Sequence, residues 1–173
     1  NLDNVYAFNG NTTAFIEMED GINEYGLAVG LTFIYPTVIK AGFNAGMIIR
    51  YLLEKCKTTD EALSLLKSIP IASQQTLTIA DRIGNIVVVE CNCEEIEIIR
   101  PNKDGNFVVA TNDFNSSKMK HYNNYEVDNW KAEERYFVAY NTLKDSKGNY
   151  SFDLVKDILS GKYGFMCQYD RKT

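Results

Sequence analysis

Histidine and proline are nearly missing from this chain: His121 is the only histidine, and three prolines are spread over 173 residues. His121 lies in a polar stretch with Lys118, Met119 and Lys120, which reads as a solvated loop. A cysteine–histidine dyad built on it finds no support in its surroundings. There is no run or stripe of basic residues, and the net charge is −5, so a nucleic-acid or anionic-membrane surface is excluded as a partner. No apolar run approaches the roughly 18 residues of a membrane span, and no signal peptide is visible at the start. Among the four cysteines, Cys91 and Cys93 are too close for an ordinary disulfide and lack the Cys/His partners of a zinc site. No metal or cofactor is therefore implied, and reduced thiols in the cytoplasm are expected. Internal repeats, low-complexity tracts and linkers are also missing, so residues 1–173 read as one domain.

What is present is apolar and aromatic. Hydrophobic residues make up 45%, with eleven Tyr and nine Phe, enough for a core and for pocket walls. Ala14 to Met18 alternates as a strand, Asp20 to Gly26 reads as a turn in which Gly26 supplies positive φ, and Leu27 to Phe33 is a buried strand. Helical spacing follows at Met47, Ile48, Tyr51, Leu52 and Cys56, then at Ala62, Leu65, Leu66 and Ile69. Thr58 and Glu61 have the spacing of a capping box, and Pro70 stops the second helix. The period then changes to two over residues 76–81, 86–90, 95–100 and 107–111, an antiparallel meander joined by Gly/Asn turns. A helix over 129–143 capped by Asp128 is predicted, with Trp130, Phe137 and Tyr140 on its apolar stripe. Ser151 caps a last helix carrying Phe152, Val155, Ile158 and Leu159, and Gly161 ends it. The tail from Tyr163 to Tyr169 reads as a strand or loop. Strands and helices in separate blocks give an α+β class with helical layers on antiparallel sheets.

The meander delivers Val109-Ala110-Thr111-Asn112-Asp113-Phe114. A carboxamide at a strand end offers two donors that do not ionise, which suits stabilisation of an oxyanion. From turn chemistry alone the same Asn112 reads first as the start of an Asx-turn. Asp20-Gly21-Ile22-Asn23-Glu24-Tyr25-Gly26-Leu27-Ala28-Val29 resembles a segment of the linear amide C–N hydrolases, the choloylglycine-hydrolase-like superfamily of N-terminal-nucleophile enzymes. Thr111-Asn112-Asp113-Phe114 resembles a second such segment, and residues 80–90 resemble the hairpin between them. Glu134-Arg135-Tyr136 resembles a helical motif of the same proteins. The likeness runs from about Tyr6 to Gln168 and is strongest to the isopenicillin-N acyltransferase-like branch.

The resemblance implies an αββα sandwich in which an N-terminal cysteine attacks a small-molecule acyl amide, its own α-amino group serving as base. It implies that Asn112 donates to the tetrahedral intermediate and that Thr32 stands where bile-salt hydrolases carry an Asn. That departure points away from bile salts. Phe33, Phe114 and Tyr136 are the pocket walls it suggests. Asn1 is no nucleophile, and none of the cysteines is near the start, so the expectation is the central part of an enzyme with self-associating sheet edges. The alternative is a catalytically inactive module of the same fold, kept for ligand binding or interaction.

Overall fold

The computed structural model describes residues 5–102 and 105–166. Six strands form one antiparallel sheet in sequence order: β1 Phe8–Asn11, β2 Asp20–Asn23, β3 Ala28–Phe33, β4 Gln75–Ala80, β5 Ile86–Cys91 and β6 Ile96–Ile99. Between β3 and β4 the chain leaves the sheet for two helices, α1 Ala45–Lys55 and α2 Thr59–Leu66. Period-two alternation aims Val29, Leu77, Ile79, Val87 and Val89 at these helices, where they meet Ile48, Ile49, Leu52, Leu53, Ala62 and Leu63 in a single core. The α+β class and the helical layer are as the sequence implies. The buried stripe of α1 is rotated from the predicted one, because Ile49 and Leu53 face the sheet while Met47 and Tyr51 sit at its flank.

Both caps of this layer are side-chain bonds. Asn44 Oδ1 accepts the Met47 N–H at 2.9 Å, and Thr58 Oγ1 accepts the Glu61 N–H at 3.3 Å while the Glu61 carboxylate takes the Lys57 N–H. No helix among the described residues is long and apolar enough to cross a membrane.

Three predicted elements differ. Residues 14–18 are a turn-rich strap, and the strand is Asp20–Asn23, inside the segment read as a turn. The strap is tied across α1: Met18 N–H donates to Gly46 O, Arg50 to Ile16 O, and Asn44 to Glu17. Gly46 makes this possible, since a Cβ there would lie 2.7 Å from Glu17 Cβ and 2.8 Å from its Oε2. Residues 107–111 form no ladder strand; Thr111 makes only a bridge to Asp113, and Phe107 packs edge-on against Tyr140 and Tyr150. β propensity needs a hydrogen-bonded neighbour, and here Phe107 has found Tyr140 of the following helix, and Tyr150, instead. That helix is Ala132–Asp145, three residues later than predicted, and α4 is Phe152–Leu159. Ser151 caps α4 and Gly161 (φ 79°) follows it, as expected, but only Ile158 of its apolar stripe is buried. Residues 163–166 are turn and coil, and the remainder of the tail lies outside the described residues.

Candidate functional site

The sheet has two unlike faces. The face opposite α1 and α2 carries Ala28, Gly30 and Thr32 from β3, paired in register with Ala80, Thr78 and Thr76 of β4. Small side chains leave an open trough of about 600 Å³ there, bounded by Asn9, Asn11, Asp20 and Ile22. Thr32 stands just past its end. Across the strands from Thr32 lies Thr76, 1% exposed with no partner for its Oγ1 among the described residues, and then Glu90, also 1% exposed.

Glu90 anchors the segment that carries Asn112. Its Oε1 accepts the Asn115 N–H at 2.5 Å and its Oε2 the Ser116 N–H at 3.1 Å. Asn123 closes the same loop, accepting the Phe114 N–H at 2.8 Å and donating to the Phe114 carbonyl at 3.0 Å. Gln74 joins this loop to the one after β3: its Oε1 accepts the Thr37 and Val38 N–H groups, and its Nε2 donates to the carbonyls of Tyr122 and Tyr35. Beneath them Ile34, Phe114 and Met119 form a small closed cluster.

Asn112 is held at both ends of its carboxamide. Nδ2 donates to the Phe33 carbonyl at 2.8 Å, and Oδ1 accepts from Arg135 Nη2 at 2.8 Å. The group is turned away from its own backbone, so it makes no Asx-turn. The second N–H on Nδ2 has no partner among the described residues and is available to an acceptor. Arg135 also grips the corner before α3: Nε donates to Trp130 O at 2.7 Å and Nη2 to Asn129 O at 3.2 Å. At that corner Trp130 (φ 55°) and Lys131 (φ 52°) are successive left-handed residues, which explains the late start of the helix. Left-handed backbone costs a side-chain-bearing residue about 1–2 kcal/mol. Asp128 serves the turn by accepting the Trp130 N–H at 2.8 Å, and Asn129 Oδ1 takes over as acceptor for Ala132 N–H. Asn129 Nδ2 donates in turn to Asp113 at 2.6 Å. Burial raises the Asp113 carboxyl above its usual range, against the opposing pull of Asn129 and Arg135.

The structure brings Thr32, Phe33 and Asn112 together at the end of β3. Tyr136 lies behind them on α3, stacked on Tyr140 at 5.8 Å; burial, Tyr140 and the Glu90 carboxylate raise its hydroxyl. Phe114, at 1% exposure, packs with Ile34 and Met119 beneath the loop. Sequence reasoning did not assign roles to Arg135, Glu90, Asp113 or Trp130. A signal for Arg135 was present, since it is the central residue of the helical motif already quoted. Cys56 and Cys91 are buried, and burial with the neighbouring Glu61 pushes the Cys56 thiol up to about 11. Burial likewise pushes Cys91 up to about 12, so neither is a thiolate at neutral pH. Cys167 lies outside the described residues. Among the described residues no cluster of His, Cys, Asp and Glu could hold a metal ion.

Residues 2–173 match the family described as acyl-coenzyme A:6-aminopenicillanic acid acyl-transferase. A search of curated proteins found no match. Among solved structures, the Caenorhabditis elegans N-acylethanolamine-hydrolyzing acid amidase ortholog is similar over 92% of this chain and 74% of its own, with 19% identity and a TM-score of 0.60. A single-substitution variant of conjugated bile acid hydrolase from Clostridium perfringens is similar over 90% and 63%, with 16% identity and a TM-score of 0.56. Penicillin V acylase from Agrobacterium tumefaciens is similar over 49% and 29%, with 22% identity and a TM-score of 0.42. The chain thus spans less than two thirds of the length of two of these three relatives.

Proposed function

Because the chain belongs to the acyl-coenzyme A:6-aminopenicillanic acid acyl-transferase family and has an α+β N-terminal-nucleophile hydrolase fold, we propose that it acts on the C–N bond of linear acyl amides. The observation that supports this is the carboxamide of Asn112, fixed by Phe33 O and Arg135 with one N–H left open beside the end of β3. Attack on an amide carbon moves negative charge onto the carbonyl oxygen. A donor already oriented toward that oxygen stabilises the charge without reorganising, and a carboxamide does so at any pH. Arg135, donating to Oδ1, polarises the amide and strengthens its N–H as a donor.

The described residues thus supply the electrostatic part of the site. The thiol that the family chemistry calls for is neither Cys56 nor Cys91. Collapse of the tetrahedral intermediate breaks the C–N bond and releases the first amine with a proton; water then taking the acyl group gives hydrolysis, and a second amine taking it gives transfer. The family is named for 6-aminopenicillanic acid, and the similar structures for N-acylethanolamines and conjugated bile acids. N-acyl derivatives of 6-aminopenicillanic acid and N-acylethanolamines define the first panel to try, with a conjugated bile acid as the substrate that Thr32 argues against. With the full-length protein as encoded, turnover of at least one acyl amide is expected, and Asn112→Ala lowers kcat by about 10²–10³. An unchanged rate in that variant removes the role given to Asn112. No turnover of any acyl amide overturns the reading as a whole.

A further inference from the structure

The carboxamide of Asn112 is fixed by β3 and α3, and its backbone is fixed from a third side, by β5. Glu90 Oε1 accepts the Asn115 N–H at 2.5 Å, and Glu90 Oε2 the Ser116 N–H at 3.1 Å. The Asn115 side chain donates in turn to the carbonyl of Asp113, the residue that follows Asn112, at 3.0 Å. A hydrogen-bonded path therefore runs from the sheet to the peptide beside the donor. For the sheet itself a carboxylate is an unfavourable choice at this position. It is 1% exposed, and neither cross-strand neighbour helps it. The Thr76 hydroxyl has no hydrogen bond among the described residues, and Glu97 is a second carboxylate. Burying a charge costs stability, and like charges directly opposite one another add to that cost. The charge-assisted bonds to Asn115 and Ser116 offset it, so Glu90 serves the loop and not the sheet.

Resting on the reading of Asn112 given above, we infer that Glu90 is a positioning residue for the reaction, setting through Asn115 and Asp113 where the open N–H of Asn112 points. It touches no reacting atom. A preorganised donor works only if it is already in place, and a small displacement is costly. Glu90→Asp keeps the charge but is one methylene too short to reach both N–H groups, whereas Glu90→Gln keeps the length and one acceptor oxygen. In the full-length protein, with an acyl amide that the wild type turns over, Glu90→Asp should lower kcat about tenfold with KM within about twofold, and Glu90→Gln should fall between the two. In an Asn112→Ala background Glu90→Asp should lower kcat no further, because its effect runs through that carboxamide. An equal loss in both backgrounds overturns the inference, as does an unchanged kcat in Glu90→Asp, and either leaves the amidase reading standing. Should Glu90→Asp fail to fold, Glu90→Gln carries the same comparison. The side-chain NH₂ signals of Asn112 in NMR need no turnover: they should shift in the Glu90 variants, and signals that stay in place overturn the inference. If the wild type turns over no acyl amide, the amidase reading falls, and these signals alone decide whether Glu90 places Asn112.

Discussion

Single side chains organise this molecule through carbonyls and N–H groups more than through charge pairs. Asn23, 5% exposed, donates to Leu53 O at 2.9 Å and Cys56 O at 2.7 Å while accepting the N–H groups of Tyr25 and Leu27. It locks the β2–β3 turn to the end of α1. Asn23→Ala leaves these groups unsatisfied in a buried place and is expected to cost about 3 kcal/mol, measured by urea unfolding. A loss under about 1 kcal/mol would mean that water replaces the carboxamide. Asp81 does a similar service, accepting from Thr59 N–H, Ile83 N–H and both nitrogens of Asn85. Burial pushes its carboxyl up, but the bonds from Asn85 and Thr59 outweigh this and hold it below the usual range. A folded-state pKa below the unfolded one gives stability that is complete above the unfolded value, about 3.9, and is lost as pH falls through the folded value. Asp81→Asn should therefore flatten the acid limb of a stability–pH curve below about pH 4. An acid limb identical to wild type would assign that stability to other carboxylates.

Among the elements, the corner before α3 is where local sequence and tertiary demand disagree. Asp128 followed by an apolar stripe is a sound helix signal, and an isolated peptide would start its helix there. Arg135 instead draws the carbonyls of Asn129 and Trp130 toward itself, and the chain turns through two left-handed residues first. Lys131 is exposed, and among the described residues its side chain has only an ion pair to Glu134 and a contact with the Phe165 ring to lose. Lys131→Gly relieves its positive φ and should stabilise the protein by about 0.5–1 kcal/mol, seen as a higher Tm. A lower Tm would show that this corner is unstrained at Lys131.

In the whole molecule, one densely packed layer faces an open one. The apolar side chains of the sheet and of α1 and α2 close a core on one side, while the trough, Thr32 and Asn112 lie toward the other. Much of this was legible in the sequence. Period-two runs at residues 76–80 and 86–90, helical spacing at 45–55 and 59–66, and the caps at Thr58 and Ser151 depend on neighbours a few positions away, so local chemistry determined them. The place of Asn112 at the end of an apolar run was legible as well, while the oxyanion role proposed for it came from the family resemblance. What the sequence could not settle is how that carboxamide points. Its two partners come from β3, 79 positions earlier, and from α3, 23 positions later. The strap at 14–18, the unpaired run at 107–111 and the late start of α3 were likewise decided by long-range partners: α1, the rings of Tyr140 and Tyr150, and Arg135. Propensity and spacing describe what a segment can do alone; a hydrogen bond or a packed ring across the fold outweighs them by more than the few tenths of a kcal/mol that separate one local preference from another.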